Sequence, residues 1–241
     1  MIPFTPITLL ISQMIAHLGL FLMLFYGTPF QWLVVLFVFF LNGCLGMTMT
    51  YHRLLSHKSW KCPKWLEKLF VLFAGAGLTG SAISWVSIHR KHHRFTDQPQ
   101  DPHSPIHKGW FYCHFLSMFS TVEPKYAIDL VRQDFYIKQH KYYFEYAILW
   151  GVLMVILFQD PNALIYAWLA PAAILWNAGS TIVSVSHRHG SIYNDTIFGI
   201  LVWGEGYHRN HHDNPGSSSF GKFDLGGILI RFIEIFAVKK R

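Results

Sequence analysis

Long apolar runs alternate along this chain with polar stretches that carry histidines. Residues 6–26 are mostly apolar, and about 21 such residues are enough to cross a bilayer core roughly 30 Å thick. Gly27-Thr28-Pro29 reads as a tight turn, and residues 31–51 return without a single charge. The pair predicts a helical hairpin, with His52 and His57 delivered at its near end. Residues 69–88 are uncharged too, but they hold three glycines and four serines or threonines between two basic blocks. That pattern predicts an interfacial or re-entrant helix rather than a span. A span here would put His52 and His57 on the opposite side of the membrane from the histidines at 89–93.

The stretch Thr96-Asp97-Gln98-Pro99-Gln100-Asp101-Pro102-His103-Ser104-Pro105 is a loop by its Pro and Asp content. Trp110-Phe111-Tyr112 and residues 115–119 are expected to rest against lipid or the core. Residues 123–141 mix both signs of charge and predict a surface helix. The apolar stretch at 146–158 is too short for a bilayer, so its helix is expected to continue back through 142–145. Gln159-Asp160-Pro161-Asn162 makes a second turn, and residues 163–186 return to deliver His187. A last polar block carries His208–His212, a Pro-Gly-Ser-Ser-Ser loop, an amphipathic stretch around 223–236 and a basic tail.

Composition agrees with a membrane protein: 52% of residues are hydrophobic, 17% aromatic and only 14% charged. The formal charge of +7 is distributed unevenly. No charge precedes Arg53, and all 20 Lys and Arg fall within 53–141 and 188–241. The positive-inside rule makes both blocks cytoplasmic. These charges flank apolar spans without any nucleic-acid reading motif, so nucleic acid is not an expected partner. The first run lacks the basic leader and small-residue cleavage site of a signal peptide and is expected to be a retained anchor. Cys44, Cys62 and Cys113 form no CxxC and predict neither a disulfide framework nor a thiolate zinc site.

The histidines carry the chemistry. His89-Arg90-Lys91-His92-His93 and His208-Arg209-Asn210-His211-His212 both read H-R-x-H-H. On a helix, positions i, i+3 and i+4 share a face. Adjacent positions diverge by about 100°, which lets one box serve two neighbouring metal ions. His52, His57 and His187 bring the set to nine. Lone His17, inside the first run, reads as a buried, neutral, hydrogen-bonded residue, although an ionisable group in a span always merits a test.

Imidazole ligates zinc, copper, iron and nickel alike. Nine histidines exceed the needs of a structural or hydrolytic zinc site and suit two ions with room for oxygen. Two redox-active irons facing a membrane suggest O₂ activation against an unactivated C–H bond of a lipid chain. Asp97, Asp101, Glu205 and Asp213 lie near enough to the boxes to orient imidazoles through their second N–H. The competing class is a histidine-rich membrane metal transporter or sensor. Transporters place polar ligands near the middle of their spans, whereas these histidines lie at one face.

The sequence of elements HRLLSH, WVSIHRKHHRFTDQPQDPHSP, SVSHRHG and WGEGYHRNHHDNP resembles the integral-membrane fatty acyl desaturases, the stearoyl-CoA desaturase family and its bacterial relatives, over about residues 31–231. The resemblance implies that His52, His57, His89, His92, His93, His187, His208, His211 and His212 ligate two Fe ions. It implies that this centre, with O₂ and electrons from a partner, inserts a cis double bond into an acyl chain. Trp85 matches a tryptophan lining the bend of the acyl tunnel in that family. Three positions depart from the animal pattern. Val183 replaces an asparagine that holds a water on one metal, Gly179 replaces a threonine, and Ser87-Ile88 replaces an Arg-Asp pair. Val183 and Gly179 bear on the tunnel, and Ser87-Ile88 on coenzyme A as the carrier. The substrate can thus be an acyl-CoA, an acyl-carrier protein or a lipid-linked chain. A same-family hydroxylase, acetylenase or oxidative decarboxylase would share the boxes.

Together these readings predict one all-α integral-membrane domain over residues 1–241. Four transmembrane helices (6–26, 31–51, 142–158 and 163–186) carry a cytoplasmic helical cap (52–141 and 187–241, with 69–88 interfacial) that holds the di-metal site. The chain has no HPGG motif of a fused cytochrome, so an external ferredoxin or small cytochrome is the expected donor, steered by the basic face. A bacterial inner membrane is the expected location, with the active site cytoplasmic.

Overall fold

A computed structural model describes residues 2–238; the basic tail at 239–241 lies outside the described residues. Helix α1 (Pro6–Tyr26) begins at a capping box in which Thr5 Oγ1 accepts from the Thr8 amide and Thr8 Oγ1 from the Thr5 amide. A second box, Thr28 with Gln31, starts α2 after the turn at Gly27. Helix α2 (Pro29–Ser56) is longer than the apolar run that predicts it. Its first part, Pro29–Phe40, is α-helical, and from Leu41 to Ser56 it widens into a π-helix. Thr50 Oγ1 and Ser56 Oγ each donate to the carbonyl five residues back, at 2.8 Å, which suits the wider turn. The widening places the first histidine pair. On an α-helix, residues five apart diverge by about 140°, but the i→i+5 bonding of a π-helix stacks them. The His57 amide accordingly bonds the His52 carbonyl at 3.2 Å, and both rings lie on one face.

Residues 69–88 do not form one helix. They are split between α3 (Lys64–Ala76) and α4 (Ala82–Arg94), each only 13 residues long and too short to span. The break falls at Gly77–Gly80, where Leu78 and Gly80 take positive φ values of 56° and 111°. Ser81 then caps α4 by accepting from the Ser84 amide. Close packing of α2 on α3 depends on Gly46, where a Cβ would lie 2.5 Å from the Ala74 amide nitrogen.

The expected surface helix at 123–141 is also broken. Short turns at Pro124–Ala127 and Ile128–Val131 precede α5 (Asp134–Lys141). One face of α5 is buried. The Tyr136 hydroxyl donates to Glu67, while Gln139 accepts from the Ala82 amide at 3.0 Å and donates to the Tyr51 hydroxyl at 3.1 Å. These anchors turn the chain by 76° into α6 (Tyr143–Phe158). Helix α6 starts three residues before its apolar run, and its 16 residues reach span length only together with α5.

After a turn with Gln159 in the left-handed region comes α7 (Ile165–Ser186). It runs into a two-residue hairpin, β1 (His187–Arg188) paired antiparallel with β2 (Ser191–Ile192). His189 and Gly190 have φ of 52° and 71°, the type I′ geometry that suits so tight a hairpin. Three short helices follow: α8 (Thr196–Leu201), α9 (His208–Asp213) and α10 (Leu225–Ile233).

Three helices, α1, α2 and α7, are long and apolar enough to cross a membrane, and the bent pair α5–α6 makes a fourth if it counts as one span. Large apolar side chains face outward along these elements, among them Leu24, Phe25, Leu33, Phe37, Ile156 and Leu157. An apolar surface of this extent needs lipid around it. The protein is therefore a mostly helical membrane protein, with most of its histidines at or beyond the ends of the apolar helices.

Candidate metal centre and acyl cavity

Nine imidazoles from four elements, α2 with its C-cap, α4, β1 and α9, meet in two neighbouring groups. The first comprises His52, His57, His89, His93 and His211, and the second His92, His187, His208 and His212. Within each group the potential ligand atoms all lie within 4.8 Å of one another. Each H-R-x-H-H box is shared. The i, i+4 pair His89 and His93 stays together while His92 turns to the other group, and His208 and His212 stay together while His211 crosses back. Adjacent residues of each box thus diverge, as helical rotation demands.

The contacts within the groups are between Nε2 atoms. In the first group, His52 and His211 approach at 2.9 Å, His57 and His89 at 2.8 Å, and His93 and His211 at 2.8 Å. In the second, the separations are 2.9 Å for His187 with His208, 3.2 Å for His208 with His212, and 3.3 Å for His92 with His212. Two nitrogens bound at right angles to one ion, each at about 2.1 Å, stand about 3.0 Å apart. The spacing is therefore that of neighbouring ligands on a metal.

Protonation states agree with this fit. Burial drives His57, His93 and His212 down to about 2, and holds His89, His92, His208 and His211 well below the usual imidazole range. These side chains are neutral at pH 7, the state that offers a lone pair. Three carboxylates select which nitrogen offers it. His52 Nδ1 donates to Glu205 at 2.6 Å, His92 Nδ1 to Asp101 at 2.8 Å, and His187 Nδ1 to Asp97 at 2.9 Å. Each such bond leaves Nε2 unprotonated and aimed into its group. Burial raises Asp101 to about 6, whereas for Asp97 and Glu205 it is outweighed by their histidine partners, helped by Ser104 and Arg53 respectively. The Nδ1 atoms of His208 and His211 are buried without partners. Asp213 is placed otherwise: exposed, 3.8 Å from Arg209 Nε, and bonded to no imidazole.

Sequence reasoning missed the frame behind these carboxylates. Arg53, fully buried, bonds both oxygens of buried Asp224 at 2.9 and 3.0 Å, and also reaches the Trp203 carbonyl and Glu205. Its guanidinium covers the Phe220 ring at 4.1 Å, and that ring packs on His211 at 4.5 Å. Gly204 makes room for this pair, since a Cβ there would fall 2.2 Å from Asp224 Oδ1. The adjacency of Arg53 to His52 was a signal; nothing in the sequence marked Asp224.

A cavity of about 580 Å³ opens beside the groups, within the usual range of ligand pockets. His52, His89 and His208 form part of its wall, and it extends to Phe4, Leu9 and Trp176. Trp85, Gly179 and Val183 all line it. Trp85 also stacks on His89 with ring centres 4.7 Å apart. A Cβ at Gly179 would meet nothing within 4 Å. His103, another side chain that sequence reasoning did not single out, is buried on this wall with Nε2 unpartnered.

Comparison with known proteins gives this arrangement a family. The fatty acid desaturase family model matches residues 30–220. The chain belongs to the fatty acid desaturase family. It is 34% identical over 229 residues to an sn-2 palmitoyl-lipid 9-desaturase of Nostoc sp. (strain 36), covering 86% of this chain and 80% of that one. It is 32% identical over 238 residues to delta-9 acyl-lipid desaturase 1 of Arabidopsis thaliana, covering 90% and 78%. An acyl-CoA C20 Delta5-desaturase of Anemone leveillei is 30% identical over 238 residues, with 88% and 75% covered. This desaturase is thus an oxidoreductase that desaturates fatty acyl chains, and its paired histidine groups are able to hold metal ions.

Proposed function

We propose that the two histidine groups each hold one iron ion and that the cavity holds the acyl chain of a membrane lipid. Bound there, the iron pair would supply the oxidising power of O₂. The overall reaction is R–CH₂–CH₂–R′ + O₂ + 2 e⁻ + 2 H⁺ → R–CH=CH–R′ + 2 H₂O, with a cis double bond formed. The observation that carries this reading is that His52, His89 and His208 belong both to the groups and to the cavity wall. A chain lying in the cavity has its C–H bonds beside the site without leaving apolar surroundings. Holding the chain in one pose is the main task of the protein's own residues, because positioning turns an encounter into an effectively unimolecular step. Trp85, stacked on His89, is the side chain that joins wall to site. Asp97, Asp101 and Glu205 fix the imidazoles.

A lipid-linked substrate is the reading we favour over an acyl-CoA or acyl-carrier protein. The relatives from Nostoc and Arabidopsis are named for acyl-lipid substrates. Where animal enzymes present a charged Arg-Asp pair, Ser87 is here buried and bonded to the backbone of Glu123 at 2.7 and 3.0 Å. Neither position 87 nor position 88 itself offers a charge to an anionic carrier.

The chain forms one domain with four spans, the bent pair serving as the fourth, both ends cytoplasmic, in a bacterial inner membrane. This arrangement satisfies the positive-inside rule for both basic blocks and leaves all nine histidines in one compartment. Electrons come from an external ferredoxin or small cytochrome. His93 and His212, one from each group, stack at 4.3 Å and are only partly buried, so they form the natural approach for such a donor. Gas chromatography–mass spectrometry of fatty acids from a host expressing the wild type or His211→Ala tests the reading. New monounsaturated acids in the wild type alone support it; hydroxy acids, triple bonds or terminal alkenes instead would replace it with a related oxidation.

A further inference from the structure

A second set of polar side chains crosses the apolar bundle away from the histidine groups. His17, midway along α1, and Asn177, midway along α7, meet at 2.9 Å. Asn177 also meets His114, in the turn Tyr112–Leu116, at 3.3 Å, and His114 meets Ser184 of α7 at 3.2 Å. For neutral imidazoles the direction of every bond follows. His17 Nδ1 lies 2.7 Å from the Gln13 carbonyl and must donate to it. Its Nε2 therefore accepts from the Asn177 amide, whose other hydrogen goes to the Ala173 carbonyl at 2.8 Å. That leaves Asn177 Oδ1 to accept from His114 Nε2, and His114 Nδ1 to accept from the Ser184 hydroxyl. Each nitrogen and oxygen has one role, and backbone carbonyls anchor the chain of bonds.

Polar groups inside a membrane protein are costly enough that they usually serve a purpose. The neighbours of these four residues show what it is. Cys113, Trp176, Ala178, Gly179 and Val183 all line the acyl cavity. Helix α1 makes a second tie as well, where Gln13 donates to the Leu78 carbonyl at 2.5 Å, beside cavity-lining Thr79. One helix is thus tied to two segments that line the cavity.

Resting on the reading of this cavity as the acyl site, we infer that His17, Asn177 and His114 are positioning residues that select which carbon pair of the chain faces the histidine groups. The turn Tyr112–Leu116 brings Cys113 to the cavity, Phe111 just before it is exposed, and His114 holds the turn to α7. Cutting this tie lets the wall move, and a shift of roughly 1 Å is enough to change which bond is well placed.

The test expresses the full chain as wild type, Asn177→Leu, His114→Ala, His114→Gln and Ser184→Ala. It reads double-bond position and chain length by mass spectrometry of disulfide adducts, together with iron per chain. The cut variants are expected to raise minor positional isomers relative to the main product by about fivefold or more, with iron at the wild-type value. His114→Gln, which can still donate to Asn177, stays closer to the wild type. Ser184→Ala removes one hydroxyl and decides the matter if the larger changes prevent accumulation. Unchanged isomer ratios at lower total yield overturn the inference. A wild type that makes no unsaturated product fails the reading of the site instead, and the two failures are distinct.

Discussion

Glu205 holds His52 with one oxygen, at 2.6 Å from Nδ1, and reaches Arg53 with the other, at 3.4 Å. Two consecutive residues of the first histidine cluster thus share one carboxylate from the far end of the chain. Glu205→Ala leaves the His52 ring free to rotate and its Nδ1 unpaired. Iron affinity is expected to fall by about 10–100-fold, while Arg53 keeps Asp224 and the fold persists. Glu205→Gln retains an acceptor oxygen and should fall between. Iron retention against a chelator measures the effect; full retention by Glu205→Ala would remove the carboxylate from any orienting role.

His92→Ala and His211→Ala each delete one member of a different group, and both rings are almost fully buried. Neither lies in an apolar span, so membrane insertion is expected to be unaffected. Product formation should be abolished in both, with iron content falling below the wild-type value. A variant with full turnover would place its histidine outside the metal shell.

These histidines were readable because their spacing is periodic. An i, i+4 pair stays together on any helix, and neighbours must part; the boxes needed nothing else. The pair His52 and His57 was readable as a motif but not as geometry, since stacking five residues apart needs the π-helical turn, which no propensity announces. The glycines of 69–88 argue against a span but leave the stretch as one helix; where two short helices replace it depends on Gly46 admitting α3 and on Gln139 capping α4 from elsewhere in the chain. Tertiary partners of this kind also explain the misses. Asp224 and His114 stand in no pattern, and only folding brings them to Arg53 and Asn177. Asp213 failed for the converse reason: proximity along the chain put it beside a box, but helical rotation turned it outward.

The buried imidazoles also set how the metal-free protein responds to acid. His57, His93 and His212 have folded-state values near 2, against about 6.5 in an unfolded chain. Below pH 6.5 the unfolded chain takes up protons that the folded one refuses, so these groups favour the fold above that pH and the advantage is lost as pH falls from 6.5 towards 2. The melting temperature of iron-free protein in detergent should accordingly drop between pH 7 and pH 5. A flat profile would show that the rings are solvated rather than buried.

Gly179 tests the cavity without disturbing its walls. A Cβ there meets no atom within 4 Å, whereas at Gly43 it would strike the Trp203 ring at 2.2 Å. Gly179→Leu can therefore place its side chain in the cavity at little cost to packing, and a glycine removed from the middle of a helix even favours the fold by about 0.5–1 kcal/mol. The added volume occupies space that an acyl chain would use, so the preferred chain length or the position of attack should shift, with iron content unchanged. The product spectrum of the host reports this directly, and Gly43→Leu serves as the contrast, expected to lower the amount of folded protein. If Gly179→Leu gave wild-type products in wild-type ratios, the acyl chain would have to run elsewhere than past α7.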